Sequence, residues 1–377
     1  MDLDLSQEER LFREAIRDFA MRAVKERNLD QLPSVPSELF KEMGRLGYLS
    51  LNISEAYGGS PGSWVMIGIM IEEIAKFSIG LSHLIVNQYE VMLTIDRFGS
   101  KQIKEEFLPK MVAGKSMASL AFSEAGEAGF RIGEVGSGYI VDGEGYVATF
   151  GVQPETVLLF GEAHTFLFVP LSLSGIEIVL LNTTGLFPSQ LSSVRFCHVH
   201  VPGTHLIGQE QHGSPACIES GFYSPLYRIL SGLICIGAAE EALRFATNYA
   251  KARKAFGKSI CSFGAILGRI CEGYALLEQA RLFSYRALSI MDRGGSVKRE
   301  AIVCAWLYPK IAWKVIEEAL LIHGHYGYSR ELRLQQMLRD VMAFEFLLGS
   351  EEALKRQLGL ELIGREVMPD DISRSMC

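Results

Sequence analysis

The chain has 377 residues, 48% of them apolar, and a formal net charge of −7. That length exceeds one ordinary core and predicts two or three packed units. The composition excludes a disordered chain, and the acidic balance disfavours a nucleic-acid partner or an anionic membrane surface.

The N-terminus, MDLDLSQEERLFREAI, is acidic and amphipathic, unlike the basic, apolar start of a signal peptide. Ser6 followed by Glu8 and Glu9 predicts a helix start, and Leu11, Phe12, Ile16, Phe19 and Ala20 recur at helical spacing. SELFKEMGRLGYLSL reads as a second amphipathic helix ending near Gly47, and AYGGSPGS as a loop of turn formers. Two more helices are predicted around 63–78 and 80–98. The apolar run SWVMIGIMIEEIAKF is interrupted by two glutamates, so no membrane span is expected. GSKQIKEEFLPKMVAGK closes a helical unit over residues 1–119, with Pro109 and Gly114 as interruptions.

Residues 120–222 change character. SGYIVDGEGYVATF, TVLLF, TFLFVPL, IEIVLL and VRFCHVHVP are short, β-branched and aromatic runs separated by turn residues, which predicts a small antiparallel barrel or sandwich. Residues 223–368 return to long helical periodicity, enough for a four-helix bundle in a C-terminal unit over 223–377. The fold class is therefore α+β: an N-terminal helical domain, a middle β domain and a C-terminal bundle. No glycine-rich segment follows a strand and opens a helix, so a Rossmann fingerprint has little support.

The seven cysteines are scattered and form no C-x-x-C pair, which supports neither a disulfide framework nor a zinc knuckle. Reduced thiols in a cytoplasmic protein are expected. His198 and His200 alternate on a predicted strand and share a face, with His205 nearby, while Cys197 points the other way. Nothing completes that set, so no metal site is expected.

Six segments in order are similar to motifs of the acyl-CoA dehydrogenase family. They are SELFKEMGRLGYLSLNISEAYGG, MIEEIAKFS, RFGSKQIKEEFLPKMVAGKSMASLAFSE, VRFCHVHVPGTHLIGQEQHG, ARKAFGKSI, and HGHYGY with LRD, spanning roughly residues 4–360. The resemblance implies FAD between the middle domain and the bundle, reaching a neighbouring subunit, and an acyl thioester carried by CoA or by an acyl carrier protein. It also implies a homodimer or homotetramer built on the broad apolar faces of the bundle. Ser123 stands in the family's Thr-Glu motif and Thr149 in its W-I-T motif. Arg253, with Phe256 beside it, occupies the position that neutralises the FAD pyrophosphate. Arg228 matches an arginine near the substrate.

Departures from the family cluster on the cofactor and the chemistry. The segment after Ser123-Glu124 is about ten residues shorter than the family's. Val147 stands where a bulky residue lies against the flavin ring, Gly264 and Leu321 where glutamines are usual, and His325 where glycine is usual. The catalytic glutamate just before Gly-Thr is Leu348, and the alternative position before Arg228 is Tyr227. Glu345, three residues before Leu348, is the candidate replacement base, and Tyr227 a candidate hydrogen-bond donor to a thioester oxygen. Three functions follow: an FAD enzyme on an acyl thioester, an FAD-free protein that binds or rearranges a tethered acyl chain, or a structural partner of an active homologue.

Overall fold

The computed structural model describes residues 5–26, 29, 32, 34–122, 130–149, 154–160, 166–207 and 224–364. Helix α1 (Gln7–Ala20) opens on a reciprocal cap: Ser6 Oγ accepts the Glu9 N–H, and the Glu9 carboxylate accepts the Ser6 N–H. Then come α2 (Ser37–Arg45), α3 (Trp64–Ala75), α4 (Ile79–Phe98) and α5 (Lys101–Val112). Pro109 does not interrupt α5, which runs through it to Val112.

The middle unit is one sheet of β1 (Ala118–Phe122), β2 (Phe130–Val135), β3 (Gly138–Thr149), β4 (Thr156–Phe160), β5 (Phe166–Pro170), β6 (Ile176–Leu180), β7 (Gln190–Pro202) and β8 (Leu206–Ile207). The order is β6-β7-β3-β1-β4-β5-β8, with β2 on β3. It is not the all-antiparallel sheet expected, because β1 and β4 run parallel from Ala118 opposite Thr156 to Ala121 opposite Leu159. The β2–β3 hairpin is inserted between them in sequence. A bulge sets Cys197 and His198 together against Asp142, so both are exposed and Cys197 does not face inward. His198 pairs with Asp142 at 2.9 Å, and no group of three or more potential metal ligands occurs among the described residues.

The C-terminal unit contains α6 (Pro225–Ala252), α7 (Gly264–Asp292), α8 (Lys298–Ile322), α9 (Leu334–Leu347) and α10 (Glu351–Ile363). A hairpin of β9 (Lys254–Ala255) and β10 (Lys258–Ser259) follows α6. The two helical units join where α3 meets α6. A Cβ on Gly237 would stand 2.4 Å from the Glu72 carbonyl oxygen, so only glycine allows that approach. The five cysteines among the described residues are free, and no helix among these residues is long and apolar enough to cross a membrane.

The two glutamates of the apolar run are buried and compensated. Arg281 of α7 donates to Glu72 at 2.7 Å and also to Glu240 and Glu278, while Lys76 bridges Glu73 and Glu240 at 2.8 and 3.0 Å. Tyr285 donates its hydroxyl to Glu72 at 2.6 Å. Removing one member of such a cluster leaves buried charge unpaired. Arg281→Ala is therefore expected to destabilise the protein by about 3 kcal/mol, read as a fall in the urea midpoint. A change within error would show that the cluster is solvated.

Candidate active site

Helix α4 is enclosed on nearly every side, from Ile79 to Met92. Its polar side chains therefore bond to neighbouring elements, since an unpaired buried polar group is costly. Gln88 holds β1 through the Ala118 N–H (2.8 Å) and the Ser116 carbonyl (3.1 Å), and the Tyr89 hydroxyl donates to the Tyr48 carbonyl at 2.7 Å. His83, Asn87 and Glu90 recur at helical spacing on the side facing α6 and the β6–β7 connection.

His83 is the centre of a closed polar cluster. Its Nδ1 lies 2.8 Å from Ser189 Oγ, its Nε2 lies 3.1 Å from Asn87 Nδ2, and the Tyr227 hydroxyl lies 3.3 Å from Nε2. Asn87 Nδ2 also donates to the His83 carbonyl at 2.9 Å, which fixes the amide orientation. Nε2 is then an acceptor, and Nδ1–H donates to Ser189. The Phe344 ring of α9 stands edge-on to the imidazole, 5.6 Å between centroids. Ser189 arrives because the β6–β7 connection docks tightly. A Cβ on Gly80 would meet the Phe187 carbonyl at 2.4 Å, and the Leu186 N–H donates to Asp340 at 2.5 Å. Burial pushes the His83 imidazole down to about 3, so it is neutral.

The first turn of α6 forms the facing wall. Ser224 caps the helix by accepting the Tyr227 N–H at 3.1 Å. Arg228 is buried and donates to Gln357 of α10 at 2.9 Å. Leu348 caps α9 with its N–H on the Phe344 carbonyl and is 1% exposed. The structure thus gathers Tyr227 and Arg228 on one turn of α6. Glu345 is exposed, between the inward-facing Phe344 and Leu348, and its charge acts on the buried Cys235 two turns further along α6. Its spacing to Leu348 does not give a shared face.

The expected cofactor positions fall elsewhere. Ser123 lies outside the described residues. Thr149 ends β3 opposite Gln190, and Val147 packs within the sheet's own core. Arg253 is the exposed C-cap of α6, and Phe256 beyond it is 96% exposed with φ +52°. Leu321 and His325 are exposed rather than filling the junction, and Gly264 is exposed too. The stack of Tyr249 on His323, 4.3 Å between centroids, places Leu321 and His325 at the same end of the bundle as Arg253. Tyr227 and Arg253 lie at opposite ends of one helix. At 1.5 Å per residue they are about 39 Å apart. One chain cannot present both to one small ligand.

Sequence reasoning overlooked His83, Asn87 and Glu90. Their spacing on α4 is visible, but only the structure shows that this helix has no solvent face.

The neutral imidazole has a testable consequence. The folded His83 titrates at about 3, below its ordinary 6.5, so the unfolded chain binds the extra proton between those values. Stability contributed by neutral His83 is complete above pH 6.5 and is lost as pH falls towards 3. Urea midpoints of His83→Gln are expected to fall less steeply over that interval than those of the unaltered protein. Equal slopes would contradict a neutral buried imidazole.

Two family models match the chain: "Acyl-CoA dehydrogenase, N-terminal domain" over residues 6–115 and "Acyl-CoA dehydrogenase, C-terminal domain" over residues 225–363. Among similar curated proteins, the probable acyl-CoA dehydrogenase YngJ of Bacillus subtilis is 26% identical, covering 96% of this chain and 100% of that protein. The caffeyl-CoA reductase-Etf complex subunit CarC of Acetobacterium woodii is 26% identical, over 92% and 96%. Among solved structures, butyryl-CoA dehydrogenase from Megasphaera elsdenii superposes with a TM-score of 0.88 at 23% identity, covering 96% of this chain and 100% of that one. The FAD complex of PigA gives a TM-score of 0.89 at 23% identity, over 97% and 100%. The chain belongs to the acyl-CoA dehydrogenase family.

Proposed function

We propose that this protein is a flavin-dependent oxidoreductase of an acyl thioester, carried by CoA or by an acyl carrier protein, and that it works as a homodimer or homotetramer. The observation that carries this is the division of labour along α6. Its first turn delivers Tyr227 and Arg228 to the junction with α4 and α9, and its far cap holds Arg253 out to solvent. A second copy is then needed to bring an Arg253 to each junction.

FAD fits these residues. Arg253 makes no ion pair among the described residues and offers a planar fork of donors suited to a pyrophosphate. Phe256 stands exposed beside it, and Leu321 and His325 line the same end. Ser123 and Thr149 are proposed for the flavin ring. When bound, FAD supplies the acceptor or donor of a hydride at Cβ of the acyl group. The similar proteins include a dehydrogenase and a reductase, which support that exchange in either direction. Tyr227 and Arg228 are proposed for the thioester end, where a hydroxyl and a guanidinium stabilise negative charge developing on the carbonyl oxygen.

Purified protein is expected to be yellow, with flavin absorbance that bleaches when a fatty acyl-CoA is added without oxygen. A preparation that stays colourless with added FAD would remove the proposal. Arg253→Glu is expected to weaken flavin retention by about tenfold or more with the fold intact. Glu345→Gln, at an exposed position, is expected to leave turnover within about twofold.

One observation favours a second function. His83, Phe344 and Leu348 are 1%, 0% and 1% exposed, so this chain's own side chains occupy the positions around the junction. A protein without FAD that only holds or rearranges an acyl chain, or that partners an active homologue, fits such closure. Thermal stabilisation by an acyl thioester in the absence of flavin would support the acyl-holding form.

A further inference from the structure

Leu348 and Tyr227 leave both family positions without a carboxylate, but a third carboxylate reaches the same turn of α6 from across the junction. Glu90 of α4, 7% exposed, accepts the Ser224 hydroxyl at 2.6 Å. The same Ser224 oxygen accepts the Tyr227 N–H at 3.1 Å. Glu90, Ser224 and Tyr227 are therefore linked in one hydrogen-bonded line at the start of α6. On α4, Glu90 lies one turn beyond Asn87 and continues the polar face of the His83 cluster.

The setting of Glu90 is unlike that of the two buried glutamates of α3. Glu72 and Glu73 sit among arginine and lysine, whereas Glu90 has no ion-pair partner among the described residues. Among the described residues no charged group around α4 acts on it: not Glu72, Glu73 or Lys76 of α3, the lysines and glutamates of α5, Arg228 of α6, or Asp340 and Glu345 of α9. A buried carboxylate without a counter-ion is destabilising. A glutamine would accept the same Ser224 hydroxyl at no such cost, so stability does not explain an acid there. Burial pushes the Glu90 carboxyl up to about 7, with the Ser224 hydroxyl and N–H pulling the other way. Both of its protonation states are then populated near neutrality, as proton transfer requires.

We propose that Glu90 is the proton-transfer carboxylate of this junction, exchanging a proton with Cα of the acyl thioester in place of the absent family glutamate; this rests on the function proposed above. In the oxidative direction the Cα–H bond breaks and its proton goes to a Glu90 oxygen. The Cβ–H bond breaks with its electron pair, which leaves as hydride to oxidised flavin. The Cα electron pair forms the new double bond, so the thioester loses two electrons and the flavin gains them. The reductive direction reverses each transfer, and Glu90 returns the proton.

The test uses the holoprotein with butyryl-CoA in deuterium oxide, following deuterium entering Cα, beside urea midpoints against pH. In the unaltered protein, exchange is expected to rise through pH about 7. Glu90→Gln should lower it by about 100-fold or more. The folded carboxyl titrates above its unfolded value of 4.5, so its contribution to stability is present below pH 4.5 and falls as pH rises to about 7. Glu90→Gln should abolish that fall and be at least as stable as the unaltered protein above it. Ser224→Ala removes a bond that favours the ionised form and should move the exchange midpoint to higher pH. Exchange at the unaltered rate in Glu90→Gln overturns the assignment, as does an unmoved midpoint in Ser224→Ala if the first variant fails to fold. If the unaltered protein binds no flavin and shows no exchange, the function proposed above falls and this assignment falls with it.

Discussion

A helix with no solvent face from Ile79 to Met92 sets the terms for this molecule. Each polar side chain on α4 has to be satisfied by a neighbour, and each such bond fixes where that neighbour lies. Gln88 locates β1, Tyr89 locates the turn after α2, His83 locates the β6–β7 connection, and Glu90 locates the start of α6. The junction between helices and sheet is thus held by directional contacts as well as apolar packing. That explains how one turn of α6 and one end of α9 are brought to the same place from distant parts of the chain.

The molecule handles buried charge in two ways. Around Arg281 it groups acids and bases so that each offsets another, and Tyr285 takes up remaining acceptor capacity on Glu72. Around Glu90 it supplies a hydroxyl and an N–H, with no cation among the described residues. The first arrangement joins α3, α6 and α7 at little electrostatic cost. The second leaves a carboxyl whose charge is undecided near neutrality, a property useful to chemistry and unhelpful to stability. The two sites lie on consecutive helices, so the difference reflects immediate neighbours rather than depth within the fold.

Much of this architecture was legible in the sequence, and the gaps have physical causes. Ser6 with Glu9 marked α1 because a helix start needs acceptors for its free N–H groups. The alternation of the middle segment identified strands but not the parallel pairing of β1 with β4, since partners remote in sequence leave no local trace. Pro109 predicts a break, yet α5 accommodates it. Motif position singles out Tyr227 and Arg228, and the structure sets both on one turn of α6. Glu345 was placed by spacing alone, and the neighbours Phe344 and Leu348 took the inward face. Glu90 leaves no signal in the sequence because LIVNQYEVML looks like any helix with one acid on its wet side, whereas this stretch is buried all round.

The length of α6 carries a last consequence. On the function proposed above, Tyr227 at its start and Arg253 at its end serve one centre, and as they are too far apart to meet within one chain, the helix would be a rigid spacer dividing that centre between copies. On that reading, a chain crippled at the first turn and another crippled at the far cap would each be inactive as pure assemblies. Co-assembled, they would pair the sound half of one with the sound half of the other and regain some activity, the pattern geneticists call complementation.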